Sequence, residues 1–287
     1  MRQNERVQFI NHYKVNTIRK IFKYTHYYCS MDEIYISESG TNFKPQTSLL
    51  DKSYEFKSKF INGGVFFMST EGGLGGDTFI ISASLYLTIS LVGDMQGHEE
   101  KTREKVKEIF DGLEKLVYVA KSSQNKEDII REVLELDSRL DAERDNLLAL
   151  SFVKVISQNN ICYFNHGENK LYMRRNGVVE DRSLEHGVKI GVFKLIPPEN
   201  FEKKMITPSE LELGKGDMIF MFTDGVSQYI EADDSNRTTL PFIKQSIKKS
   251  NDIYGCISDI NAKAYKRLNR AGLSLADDYT LIGLQVI

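Results

Sequence analysis

The chain contains 287 residues, of which 41% are hydrophobic, so it can bury one large core, alone or with a short extension. Its net charge of −2 and isoelectric point near 6.3 give no global attraction for nucleic acid or an anionic membrane, and no nucleic-acid partner is expected. Three scattered cysteines, Cys29, Cys162 and Cys256, favour reduced thiols in the cytoplasm over disulfides or a thiolate metal site. No apolar run approaches the roughly 20 residues of a spanning helix, so no transmembrane segment is expected.

The first segment, residues 1 to about 30, has apolar residues near helical spacing and predicts a helix. Its basic residues outnumber its one acid, Glu5, and two interpretations of this segment are open. The helix packs on its own domain with a solvated basic face, or it serves a regulatory partner or self-association. Residues 40–53 are polar and aperiodic, which indicates a connector. We therefore predict an N-terminal helical extension and connector over 1–48 and one larger domain over 49–287.

The next part of the chain has the pattern of strands followed by helices. Alternating apolar residues between Leu85 and Leu91 predict a strand, and apolar residues at helical spacing, such as Val106, Ile109 and Leu113, predict helices. The predicted strand-rich segments are Tyr54–Ser69, Thr78–Ala83 and Leu85–Gly93, and the predicted helices are His98–Lys121 and Lys126–Asn146.

The second half repeats this order. Met218–Phe222 is an unbroken apolar run, which predicts a strand buried on both faces. The other predicted strands are Leu148–Ser157, Ile161–Phe164, Lys170–Arg175 and Tyr279–Ile287, and the helices are Leu240–Lys249 and Tyr254–Ala271. Because this order lacks a regular βαβ alternation, it predicts an α+β fold with antiparallel sheets and helices outside.

Four aspartates stand at the ends of apolar stretches, each beside a glycine or a second acid. They lie in Gly75-Gly76-Asp77, Gly93-Asp94-Met95-Gln96-Gly97-His98, Thr223-Asp224-Gly225 and Asp277-Asp278-Tyr279-Thr280. One such pair alone is usually a simple turn, and only the set of four indicates a site. Strand ends followed by tight turns can aim several carboxylates at one point, where they would repel one another without divalent cations. All-oxygen ligands suit Mg²⁺ or Mn²⁺, so the pattern predicts a metal centre.

These motifs, together with three others in the same order, resemble the metal-dependent serine/threonine protein phosphatases of type 2C, the PPM family. The others are Asn165-His166-Gly167, Gly187-Val188-Lys189-Ile190-Gly191 and Gly216-Asp217. The chain is most similar to the bacterial branch typified by sporulation stage II protein E and by environmental-stress sigma-factor regulators. The similarity covers about Leu49–Ile287.

The resemblance implies an αββα sandwich of two antiparallel sheets flanked by helices, with two Mn²⁺ or Mg²⁺ ions at one edge. It implies that Asp94 bridges the ions and that Asp77 supports the site directly or through water. Asp224 and Asp277 would hold the second ion, and the backbone carbonyl of Met95 would bind the first. The neighbouring acid of the last motif is expected to accept backbone hydrogen bonds rather than to bind metal.

The resemblance also implies a bacterial, cytoplasmic enzyme that hydrolyses phosphoserine or phosphothreonine on a regulatory protein. The implied substrate is a phosphorylated anti-sigma-factor antagonist in a partner-switching pathway of signal transduction. The chemistry agrees, because two metal ions neutralise a phosphate monoester and lower the pKa of a bridging water enough to supply hydroxide for in-line attack. No nucleophilic cysteine or serine is then required.

A second hypothesis keeps the fold but not the catalysis: a silent signalling module that binds a partner. Retention of all four metal-type aspartates favours the enzyme. Two departures from the family pattern bear on the substrate instead. Glu99 and Glu100 follow the metal motif where glycine and small residues are usual, and Glu168 stands where a histidine is usual.

Overall fold

The computed structural model describes residues 25–28, 34–39, 51–68, 76–97, 100–140, 146–157, 160–201, 205–231, 240–271 and 277–287. Its strands are β1 (Thr25–Tyr28), β2 (Ile34–Ser39), β3 (Asp51–Lys57), β4 (Ile61–Met68), β5 (Asp77–Ala83), β6 (Thr88–Met95), β7 (Leu148–Val155), β8 (Asn160–His166), β9 (Lys170–Arg175), β10 (Val178–Asp181), β11 (Ser209–Glu212), β12 (Met218–Phe222) and β13 (Tyr279–Val286). Its helices are α1 (Glu100–Ser122), α2 (Lys126–Arg139), α3 (Asp224–Glu231), α4 (Leu240–Lys249) and α5 (Ile253–Ala271), with 3₁₀ turns at Phe193–Leu195 and Pro198–Asn200.

The described strands form two sheets. The first has the order β1-β3-β4-β13-β12-β9-β10, and the second has the order β11-β8-β7-β6-β5-β2. All the described pairings are antiparallel except that of β1 with β3. Each sheet thus places the ends of strands that are distant in sequence next to one another.

The two sheets face each other across an apolar layer, and helices cover both outer faces. Side chains alternate across a strand, so β12 directs Ile219 and Met221 into the layer between the sheets, and Phe220 and Phe222 toward α4 and α5. On the other side, α1 and α2 pack on the second sheet through a separate cluster of buried residues. The fold is therefore the predicted α+β sandwich of two antiparallel sheets with helices outside, and β12 is buried on both faces as predicted.

The N-terminal predictions need correction where the structure describes them. The last residues of the predicted helix, Thr25–Tyr28, form strand β1, which pairs in parallel with β3. The segment is rich in β-favouring threonine and tyrosine, and pairing with a neighbouring strand outweighs the helical spacing that precedes it. Residues 1–24 of that prediction lie outside the described residues.

The predicted connector also overlaps a strand, because β3 begins at Asp51. Strand β2, which was not predicted, pairs with β5. The division into 1–48 and 49–287 stays a prediction, although β1 and β2 each extend one of the sheets.

Several other boundaries differ from the predictions. The alternating leucines 85 and 87 lie in a turn, closed by the Ser84 N–H donating to the Leu87 carbonyl at 2.8 Å, and β6 begins only at Thr88. Helix α2 ends at Arg139 rather than near residue 146. The short elements α3, β10 and β11 were not predicted. No helix among the described residues has the length and apolar character that a membrane span requires.

Candidate metal centre

The predicted aspartates of the second sheet lie side by side at one end of it. Asp77 begins β5, Asp94 lies near the end of β6, and the two are partners in the antiparallel register. The first sheet delivers acids to the same end, because β12 leads into Asp224 and β13 starts just after Asp277 and Asp278. Residues that are far apart in sequence therefore meet where strands of both sheets end.

Hydrogen bonds around Asp77 join the two sheets at this end. Its Oδ2 accepts the hydroxyl of Thr223 at 2.8 Å and that of Thr280 at 2.6 Å. The Asp77 N–H donates to Oδ2 of Asp278 at 3.3 Å, and the Thr280 N–H donates to Oγ1 of Thr223 at 3.2 Å. All four residues are buried, and we call them the aspartate clamp. The clamp fixes the carboxylate of one sheet to the strand ends of the other.

Two glycines of the predicted motifs stand where no side chain fits. A Cβ at Gly76 would lie 2.1 Å from the carbonyl oxygen of Met95, whose own N–H donates to the Gly76 carbonyl at 3.1 Å. A Cβ at Gly225 would lie 1.8 Å from the carbonyl oxygen of Asp278. The glycines thus allow the loops that carry the acids to pack against one another.

Burial and mutual repulsion both disfavour the charged form of the clustered acids. Burial raises the pKa of Asp77 well above its usual range, and repulsion from Asp94 and Asp278 adds to this effect. Burial likewise raises the pKa of Asp94, with further repulsion from Asp224 and Asp277. These mutual effects place the five carboxyl groups in one electrostatic environment. A bound cation would stabilise the ionised carboxylates and lower their pKa values.

A protein-family model decides the family. The model for stage II sporulation protein E, SpoIIE, matches residues 88–287, which is well over half of the chain. The chain belongs to the SpoIIE family. A comparison with curated protein sequences gives no match.

Solved structures agree with the SpoIIE assignment at the level of the fold. RsbX in complex with magnesium is 17% identical with a TM-score of 0.57, and the match covers 84% of this chain and 100% of RsbX. The phosphatase domain of SpoIIE from Bacillus subtilis with a fragment of its regulatory domain is 16% identical with a TM-score of 0.58, covering 89% of this chain and 70% of that one. The catalytic domain of the phosphatase PstP with two manganese ions is 12% identical with a TM-score of 0.52, covering 79% and 99%. The chain thus has the fold of the 2C-type phosphatase domains.

The residues of this SpoIIE-family site fit divalent cations. The donors are all oxygens, and their mutual repulsion is what a pair of dications would relieve. Within the described ranges, no three His, Cys, Asp or Glu side chains are placed to enclose one ion. Mg²⁺ commonly keeps several waters, so Asp94, Asp224 and Asp277 would reach a shared ion partly through water.

The predicted site residues are brought together, whereas their roles as ligands stay predictions. Asp94 acts electrostatically on Asp77 and is itself influenced by Asp224 and Asp277, and the Met95 carbonyl packs on the loop that precedes Asp77. The neighbouring acid Asp278 accepts a backbone hydrogen bond, as expected.

Sequence reasoning missed the positioning groups around these acids. Thr223 and Thr280 occur in the quoted motifs but were given no role. Lys189 was also quoted only as part of a motif, yet it lies close enough to lower the pKa of Asp94. The sequence does show that Lys189 is a cation in a loop bounded by two glycines, but it does not show which edge of a sheet that loop reaches.

Proposed function

We propose that this chain is a metal-dependent protein serine/threonine phosphatase that acts on a phosphorylated regulatory protein. The observation that carries the proposal is the convergence of Asp94, Asp224 and Asp277 from the strand ends of both sheets, in a chain of the SpoIIE family. The magnesium and manganese in the structures of RsbX and PstP support Mg²⁺ or Mn²⁺ as the cofactor.

The residues have distinct proposed tasks. Asp94 would lie between two ions, Asp224 and Asp277 would hold the second, and the Met95 carbonyl would bind the first. Both clamp hydroxyls donate to Oδ2 of Asp77, so we assign its Oδ1 to a metal or to one of its waters. When bound, the two cations would neutralise the phosphate and activate a water for attack on phosphorus. The chain holds the carboxylates in register, and the clamp keeps the two sheet ends from separating.

Catalysis through a thiol is disfavoured at the described cysteines. Burial raises the pKa of Cys162 to about 11 and that of Cys256 to about 12, so both remain protonated near neutral pH. Their sulfurs are buried in the core, away from solvent and substrate. These two residues therefore do not supply the nucleophile of a thiol phosphatase.

The test is hydrolysis of a phosphoserine peptide during a Mn²⁺ titration, comparing the native chain with Asp94→Asn. Asp111→Asn, which removes an exposed acid from α1, is the matched charge control. We expect metal-dependent phosphate release that Asp94→Asn abolishes and Asp111→Asn retains. No release by a folded, Mn²⁺-loaded native chain would contradict the proposal for peptide substrates and favour the partner-binding module.

The finer proposal concerns the substrate. We propose a phosphorylated anti-sigma-factor antagonist, the substrate that the resemblance to the sporulation stage II protein E branch implies, and membership of the SpoIIE family agrees with that branch. The measurement is kcat/KM for purified phosphorylated antagonists against unrelated phosphoproteins. Equal values for both classes would refute this choice while leaving the phosphatase proposal intact.

A further inference from the structure

Lys189 lies on a loop whose backbone is fixed on both sides of it. The carbonyl of the preceding Val188 accepts a hydrogen bond from Nδ1 of His166 at 3.2 Å. The following Ile190 exchanges two backbone hydrogen bonds with Leu148, at 3.0 and 2.9 Å. A side chain presented from a backbone held in this way is positioned with little freedom.

The loop is tied to a helix as well as to the sheet. Asp137 of α2 is buried, and its Oδ1 accepts the N–H groups of Gly191 at 2.5 Å and of Phe193 at 3.1 Å. The position of Lys189 is therefore fixed by the second sheet together with α2.

The side chain of Lys189 reaches the rim of the acidic cluster. Its stem passes Gly167, where a Cβ would lie 2.9 Å from its Cγ. Its Nζ donates to Oε1 of Gln96 at 3.2 Å and pairs with Oε1 of Glu168 at 2.8 Å. Gln96 directly follows Met95, the proposed carbonyl ligand, so the ammonium group lies beside the loop that carries the metal motif.

The ion pair between Lys189 and Glu168 is exposed to solvent on the Glu168 side. The Glu168 side chain is 60% exposed, whereas that of Lys189 is 20% exposed. An ion pair of this exposure contributes roughly 0–1 kcal/mol, so a stronger anion can replace the carboxylate at little cost. A phosphate dianion is such an anion, because it offers more charge and several acceptor oxygens to the same ammonium.

We propose that Lys189 binds the phosphoryl group of the substrate at the rim of the metal centre and that Glu168 occupies its ammonium until phosphate arrives. This inference rests on the proposed phosphatase function and adds a substrate-binding residue to it. Carboxylates alone would repel a phosphate dianion, and Lys189 supplies positive charge on the protein side of the site. Its charge lowers the pKa of Asp94, which agrees with this position.

The probe is inorganic phosphate, the product of the reaction, measured by calorimetric titration into the Mn²⁺-loaded full chain. We expect Lys189→Met to weaken phosphate binding on the order of tenfold to a hundredfold, the range for one charge-assisted hydrogen bond. Lys189→Arg should recover part of the loss. Glu168→Gln should bind phosphate at least as tightly as the native chain, because the competing carboxylate is removed.

The control is Lys215→Met, which removes an exposed lysine from the turn before β12, at the far end of that strand from Asp224. It should leave phosphate binding unchanged, and the melting temperature of each variant confirms folding. With the phosphoserine peptide, Lys189→Met should raise KM by a factor similar to its loss of phosphate affinity. Its Mn²⁺ affinity should be no lower than that of the native chain, because the variant removes a positive charge near Asp94.

Three results would overturn the inference: unchanged phosphate binding in Lys189→Met, an equal loss in Lys215→Met, or a loss confined to Mn²⁺ affinity. The last would make Lys189 a support of the metal loop only. The two proposals fail separately. If phosphate binding depends on Lys189 but the peptide is not hydrolysed, the phosphatase proposal fails and Lys189 remains a phosphate-binding residue. If the native chain and Lys189→Met hydrolyse the peptide equally well, the role of Lys189 fails and the phosphatase proposal stands.

Discussion

Gly225→Ala tests the close packing on which the metal centre depends. The new Cβ would lie 1.8 Å from the Asp278 carbonyl oxygen, where real Cβ contacts do not fall below 3.0 Å. The obstacle is backbone, so α3 and the loop before β13 must move apart by more than an ångström. Overpacking of this kind costs typically 1–3 kcal/mol, partly offset because alanine favours a helix over glycine by about 1 kcal/mol. We expect a net loss of about 1 kcal/mol in the free energy of unfolding.

The assay for Gly225→Ala is urea unfolding without metal, followed by Mn²⁺ titration. Metal affinity should fall along with stability, because Asp224 and Asp277 flank the point of contact. Gly214→Ala is the control, since its Cβ would meet only Oδ2 of Asp217 at an ordinary 3.6 Å. Native stability and native Mn²⁺ affinity in Gly225→Ala would refute the packing of this turn on Asp278.

Three further predictions concern the groups that hold the site. Asp137→Asn removes the charge that accepts three backbone N–H groups beyond Ile190, and urea unfolding should show a loss of about 2 kcal/mol; a value below 0.5 kcal/mol would contradict this. Thr280→Val keeps the shape but removes the 2.6 Å donor to Asp77, and it should cost about 1.5–3 kcal/mol in the same assay, whereas no loss would contradict the clamp. Burial and the neighbouring imidazole lower the pKa of His166 from 6.5 to about 3, so the unfolded chain binds a proton below pH 6.5 that the folded chain does not. Stability should therefore fall by about 2 kcal/mol from pH 7 to pH 5 through this group, and His166→Asn should lack that part of the fall; parallel pH profiles would contradict the assignment.

Much of the fold could be predicted because local patterns agree with the tertiary environment. Met218–Phe222 is apolar at every position, and both of its faces are in fact buried. The end of the predicted N-terminal helix was wrong because Thr25–Tyr28 is ordered by β3, which lies more than twenty residues later in the sequence. Periodicity also failed at leucines 85 and 87, where the backbone turns although the alternation continues. Such features depend on pairing partners that no short window contains.

For the site, the sequence identified the acids but not what positions them. Asp77 and Asp94 could be found because each adjoins a glycine at the end of an apolar stretch. Thr223 and Thr280 could not be assigned, since their hydroxyls act on a residue of the opposite sheet, 146 and 203 positions away. Lys189 was missed for the same reason, because its proximity to Asp94 exists only after β8 and the loop beyond β10 reach one end of the second sheet.

The clamp and the acidic cluster have opposite effects on the sandwich. Repulsion among the carboxylates tends to separate the sheet ends, while the hydroxyls of Thr223 and Thr280 hold them together through a single oxygen of Asp77. Threonine suits this task because its hydroxyl donates without adding charge, whereas a basic residue would neutralise the cluster and compete with a metal ion. The two hydroxyls thus keep the carboxylates close without themselves offsetting the repulsion. Cation binding then relieves the repulsion, so metal affinity and the stability of the sheet ends are thermodynamically coupled.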